Sequence, residues 1–204
     1  MHRAALVFIV ATLHHPAAIF RSPSIHSPMH RTLPAFTPLS HQHMSLPVLG
    51  RRKGFLHVLL PGRPNGHAGW IEAKKVKTWK TPWHVVVKRR SKRLFVFHGR
   101  KIARSFPVVV GASSTPTPRG RFYVEEAMII PHRSLGWPDA FALSARSKVF
   151  QEFEGGPGQI AIHGTYGIGG TPGRAESHGC IRATSTALKW MIRRFGTGTP
   201  VDIR

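Results

Sequence analysis

Cys180 is the single cysteine of the sequence, and it stands in Ser177-His178-Gly179-Cys180-Ile181-Arg182, among a hydroxyl, an imidazole and a guanidinium. A free thiol with a pKa near ~8.5 is only a few per cent thiolate at neutral pH, and neighbouring cations lower that pKa. The segment is therefore an electropositive setting in which sulfur becomes a nucleophile. Glycine at 179 lets a substrate carbonyl approach the backbone, and backbone N–H groups there are placed to stabilise an oxyanion. An inert core thiol, the commonest use of a lone cysteine, does not require His, Gly and Arg around it.

A thiol that attacks an amide also needs a proton donor for the departing amine, and an imidazole titrating near neutrality does this better than other side chains. Two histidines compete for the role. His178 lies two residues from Cys180, so in an extended segment both side chains share one face. His163 ends a separate run, Ile160-Ala161-Ile162-His163-Gly164-Thr165, and approaches from across a cleft. We expect Cys180 as nucleophile with one of these two histidines as proton-transfer partner, acting on a peptide-like substrate without a cofactor. A zinc set of His163, His178 and Cys180 is the chemical alternative, and it predicts a bound metal and loss of activity on chelation.

The elements that must position these residues read as strands. Val85-Val86-Val87 and Leu94-Phe95-Val96-Phe97 flank a basic turn at Arg89 to Lys92, His98-Gly99 makes a tight turn, and Ile102 to Val110 returns. Arg121 to Val124 follows as a fourth strand after Pro116-Thr117-Pro118-Arg119-Gly120, with Glu125-Glu126 decorating its end, and Gln159 to His163 is a short buried strand. Ser185 or Thr186 caps a helix whose apolar residues Leu188, Met191, Ile192 and Phe195 recur at helical spacing, with Gly196 as the stop. Thr199 to Ile203 reads as a closing strand.

At this point the residues resemble the L,D-transpeptidases with the YkuD-type catalytic domain. His163-Gly164-Thr165, a loop of about a dozen residues, and Ser177-His178-Gly179-Cys180-Ile181-Arg182 match that family's signature. Val110 to Phe122 and Gly198-Thr199-Pro200-Val201 look like further family segments, so the resemblance covers roughly 81–204. It implies a mainly β catalytic domain, a YkuD-like β-sandwich or barrel with a C-terminal helix, that remodels peptidoglycan. Cys180 would form a thioester with a stem peptide and release D-Ala, and an acceptor amine would resolve it into a 3→3 cross-link. By position His163 matches the general base and acid. His178, Ser177, Gly179, Arg182, Gly164 and Thr165 match supporting or substrate-binding positions, and Arg182 is equally placed to pair with Glu176. A carbapenem, which acylates the cysteine of this family, is implied as an inhibitor.

Upstream, residues 46–78 resemble part of a bacterial SH3-like β module through Leu59-Leu60-Pro61-Gly62-Arg63-Pro64-Asn65-Gly66 and Gly69-Trp70-Ile71. Residues 1–45 read as a signal-like segment, with apolar Ala4 to Leu13 behind Met1-His2-Arg3, followed by a disordered linker rich in Pro, Ser and His. The expected location is the exported, envelope side of the cell, with no transmembrane span, since no apolar run approaches the ~20 residues a helix needs.

The charge is extreme. Thirty Lys and Arg against eight Asp and Glu give a formal net charge of +22, which favours polyanionic partners. Anionic cell-wall polymers fit that charge. A nucleic-acid binder is the competing class, motivated by the charge and by Lys88, Arg89, Arg90, Lys92 and Arg93 near Trp79 and Trp83, but no spaced stacking aromatics accompany them.

Overall fold

The computed structural model describes residues 6–152 and 156–204. The first half of the chain is built from β1 (Phe8–Leu13), β2 (Ala17–Phe20), β3 (Met29–Leu33), β4 (Ser45–Arg52), β5 (Phe55–Leu59), β6 (Ala68–Glu72) and β7 (Val76–Thr81). These form one seven-stranded sheet in the order β3-β2-β6-β5-β4-β1-β7. Of the apolar run read as the core of an export signal, Phe8–Leu13 form the interior strand β1, paired with β4 and β7 and carrying Val10, Ala11 and Leu13 with no exposed surface, while Met1 to Ala5 lie outside the described residues. The stretch read as disordered, from Phe20 to about Ser45, supplies β3, which pairs antiparallel with β2 just before it. Strands of four and five residues leave too short a record of alternation to show through a Pro- and His-rich composition. Residues 46–78 are likewise not a separate SH3-like remnant, because β4, β5 and β6 share their sheet with β1, β2 and β3.

The second half contains β8 (Trp83–Lys88), β9 (Arg93–His98), β10 (Lys101–Pro107), β11 (Val110–Gly111), β12 (Gly120–Ile129), β13 (Asp139–Arg146), β14 (Gln159–His163), β15 (Ala175–Ser177), β16 (Ile181–Arg182), the helix α1 (Ser185–Ile192) and β17 (Pro200–Ile203). Among the described residues eight of these strands make a sheet in the order β10-β9-β8-β17-β12-β13-β14-β16, while β11 and β15 pair as a short parallel ribbon. The basic turn and the meander β8-β9-β10 lie where the sequence places them. The helix cap lies one residue earlier than expected: Thr184 accepts from the Ala187 N–H through its side chain. Leu188, Met191 and Phe195 then face the core with Val85, Val96, Phe122, Phe141, Ile160 and Ile162.

Strand β12 is a shared wall. Successive side chains of a strand point to opposite faces, and here Phe122 and Val124 enter the core of the second half while Tyr123 enters that of the first, beside Leu13, Ile19 and Leu46. Burial raises the Tyr123 hydroxyl well above its ordinary pKa, and nearby Glu125 adds to the rise. The expectation that Glu125 and Glu126 decorate a strand end is also corrected. Both lie inside β12 at a register shift and are buried. Glu126 Oε2 accepts from the Leu39 and Ser40 N–H groups and the Ser40 hydroxyl, at 3.1, 2.7 and 2.7 Å, tying the halves together. Glu125 accepts from Arg146 at 3.1 Å and from the Gln159 side chain at 3.0 Å. Its carboxyl still titrates above the ordinary range, because burial outweighs the attraction of Arg146.

Candidate active site

The site grows from the parallel pairing of β14 with β16, in which Ile162 is registered with Ile181 and His163 with Arg182. On this pair Ile160, Ile162 and Ile181 are buried, whereas Ala161, His163, Cys180 and Arg182 are half-buried. The alternation turns the second set to the half-exposed side of the pair. Cys180 therefore sits one strand over and two positions along from His163. That diagonal corresponds to about 8 Å between Cα atoms, from an inter-strand spacing of about 4.8 Å and a rise of about 3.3 Å per residue. The side chains of a cysteine and a histidine can span it.

Each group is held by its own contacts. His163 Nδ1 lies 2.8 Å from the Gly164 carbonyl oxygen. A carbonyl only accepts, so Nδ1 carries a hydrogen, which in the neutral ring leaves the lone pair on Nε2. Gly164 is required: a Cβ there would lie 1.8 Å from the Trp137 carbonyl oxygen. Its N–H donates to the Gly136 carbonyl at 2.7 Å, and a Cβ on Gly136 would press on His163 Nδ1 at 3.2 Å. Thr165 turns the chain onward, its carbonyl accepting from the Ile168 and Gly169 N–H groups.

The cysteine turn is built around Ser177, which is 1% exposed. Its hydroxyl donates to the Cys180 carbonyl at 2.6 Å and accepts from the Gly179 N–H at 3.2 Å. The Gly179 amide is thereby engaged by the turn itself. Gly179 has φ +120°, and a Cβ there would meet Ile160 Cδ1 at 3.1 Å, so both backbone and space favour glycine. Thr115 and Thr117 close the other side, donating to the Ser177 and Gly179 carbonyls at 3.0 and 2.8 Å. Cys180 Sγ is 4.0 Å from the Gln159 carbonyl.

His178 does not share a strand face with Cys180, because the chain turns at Gly179. It is exposed, with its ring 6.0 Å from that of Phe150. Arg182 points to the loop that follows β14 and donates to the Ile168 and Gly169 carbonyls at 3.0 and 3.4 Å. Glu176, the acid expected beside it, instead accepts from the Thr171 N–H. His163, His178 and Cys180 do not gather as a metal-binding group, and among the described residues no cluster of three or more His, Cys, Asp or Glu could hold a metal ion.

The sequence reading missed Thr115 and Thr117, although they lie in a segment it matched to the family, and the wall formed by Gly136 and Trp137. Trp137 packs edge-on near Tyr166 at 6.2 Å and His132 at 5.2 Å, with the Lys189 ammonium 5.1 Å from its ring centroid. The signal available for it was the turn-forming Gly136-Trp137-Pro138.

Residues 82–203 match the family model of the L,D-transpeptidase catalytic domain. The chain belongs to that family. YkuD of Bacillus subtilis (strain 168) is 28% identical over 152 residues, covering 71% of this chain and 84% of that protein. L,D-transpeptidase 1 of Mycobacterium tuberculosis (strain ATCC 25618 / H37Rv) is 26% identical over 111 residues, half of this chain and 43% of its relative. Among solved structures, L,D-transpeptidase 3 from Mycobacterium tuberculosis in complex with a faropenem-derived adduct superposes with a TM-score of 0.51 at 13% identity, covering 79% of this chain and 91% of that one. That likeness is one of fold. As an L,D-transpeptidase-family protein the chain is an enzyme of the transferase class, and no helix among its described residues is long and apolar enough to cross a membrane.

Proposed function

We propose that this L,D-transpeptidase-family enzyme forms a thioester between Cys180 and a peptidoglycan stem peptide and passes the acyl group to an acceptor amine. The observation that carries the reading is the register of β14 and β16, which sets Cys180, the residue just before β16, diagonally across from His163 on the same half-exposed side. Cys180 Sγ attacks the carbonyl carbon between the third residue, a diamino acid, and D-Ala. The thiol proton passes through His163 Nε2 to the departing amine, and D-Ala leaves as the thioester forms. An acceptor side-chain amine then attacks the thioester, giving a 3→3 cross-link and returning the proton to sulfur through the same ring. Ser177, Thr115 and Thr117 hold the turn that presents the sulfur. Arg182 and Thr165 shape the loop over the acceptor side, and His178 lies on the rim facing Phe150.

The enzyme works on the exported side of the envelope, where its substrate lies, and its positive surface holds it to anionic wall polymers. Intact-protein mass spectrometry with and without a carbapenem tests the core of this reading. The expected result is one covalent adduct on the wild type and none on Cys180→Ser. An adduct on both proteins would move the nucleophile elsewhere, and none on either would remove the acyl-transfer reading.

A further inference from the structure

The family match begins at residue 82, so the seven-stranded first half has no assigned part in the reaction. Besides the ties at Glu126 and Tyr123, it meets the second half where the turn 61–66, between β5 and β6, contacts the end of β13 and the residues that follow it. Asn65 pairs reciprocally with the Arg146 backbone, its side-chain amide donating at 2.7 Å and its oxygen accepting at 2.8 Å. Arg63 goes further. One guanidinium nitrogen donates to the Pro157 carbonyl at 2.8 Å, and another to the Ser147 and Phe150 carbonyls, both at 2.9 Å.

Those three carbonyls belong to the segments that flank the site. Ser147 closes the segment by donating its N–H to the Gly158 carbonyl at 2.7 Å, and the Phe150 N–H reaches the Ser147 hydroxyl at 3.0 Å. Position 158 has φ +63°, and a Cβ there would lie 2.2 Å from the Phe150 carbonyl oxygen, so the two ends are tightly apposed. Phe150 faces the ring of His178, and residue 159, which follows directly, carries a carbonyl 4.0 Å from Cys180 Sγ. Three carbonyl oxygens converging on one point repel one another unless a cation sits among them. A planar guanidinium satisfies all three at fixed angles, whereas an ammonium is a point charge without that fork.

We infer that Arg63 is a positioning residue for the reaction at Cys180: it fixes residues 147–150 and 157 from the neighbouring half and so sets the wall of the groove beside His178. The inference rests on the acyl-transfer reading for its consequence in catalysis. The geometric part stands apart from it.

The test uses the full chain as wild type, Arg63→Ala and Arg63→Lys. Hydrogen exchange reads the Ser147 and Phe150 amides against those of β4 and β5, and mass spectrometry reads the rates of carbapenem acylation and of iodoacetamide alkylation at Cys180. In Arg63→Ala, exchange at Ser147 and Phe150 should accelerate at least tenfold while β4 and β5 stay within twofold. Acylation should slow at least fivefold with alkylation changed less than twofold, and Arg63→Lys should fall between the two. Exchange and acylation both within twofold of wild type would overturn the inference. So would acylation and alkylation falling together with faster exchange throughout β4 and β5, which is general loosening. A wild type that takes no carbapenem adduct fails the acyl-transfer reading instead, and the exchange measurement still decides whether Arg63 holds the segment.

Discussion

At the residue scale the site depends less on the sulfur than on the small turn that delivers it. One buried hydroxyl, that of Ser177, bridges the Cys180 carbonyl and the Gly179 amide. Removing it leaves two backbone groups without their partner in a place water hardly reaches, at a cost of about 1–3 kcal/mol. Ser177→Ala should therefore lower stability by that amount in urea denaturation and slow carbapenem acylation of Cys180 by about tenfold. Acylation at the wild-type rate would show that the turn does not set the position of sulfur. Much of this was legible in the sequence, because Ser177, Gly179, Cys180 and His163 sit in a motif whose residue types only make sense together. Thr115 and Thr117 were not singled out, since a threonine hydroxyl that caps a distant carbonyl has no periodicity and no spacing rule to betray it.

At the scale of elements, strands with one buried face were readable and strands with two were not. Strand β9 alternates between buried and half-buried residues, and the basic turn that joins it to β8 marks the hairpin plainly. By contrast, all eight residues of β13 are buried and β12 has buried residues on both faces from Phe122 to Ala127, so neither shows a period of two. β13 was missed altogether and β12 was cut short at Val124, where the acidic pair suggested a surface. Tyr123 gives this shared wall a measurable signature. Its hydroxyl is buried and has no hydrogen-bond partner among the described residues, so Tyr123→Phe removes an unpaid desolvation cost without opening a cavity. Stability should rise by about 1 kcal/mol in chemical denaturation; a loss of similar size would mean that the hydroxyl has a partner in solution.

At the scale of the molecule, most of the acidic groups are occupied internally. Glu125, Glu126 and Asp139 are buried, while Glu72 and Asp202 are ion-paired to Lys74 and Arg204. Little remains on the surface to offset thirty basic side chains. Binding to isolated cell walls should then be strong at low ionic strength and fall several-fold by about 0.5 M salt, where screening lengths drop to a few ångströms. Cosedimentation measures it, and Cys180→Ser should behave as wild type in that assay. Retention that ignores salt would point to recognition of uncharged wall components.

The place of β17 in the larger sheet carries a consequence for any nicked or shortened form. It lies between β8 and β12, with Val201 registered to Val85 on one side and to Phe122 on the other. Excision of these four residues would split the sheet into a three-stranded and a four-stranded piece, each with a raw backbone edge where a neighbour had been. Such edges recruit other chains, so clipping near Thr199 should yield insoluble assemblies in place of a smaller working enzyme.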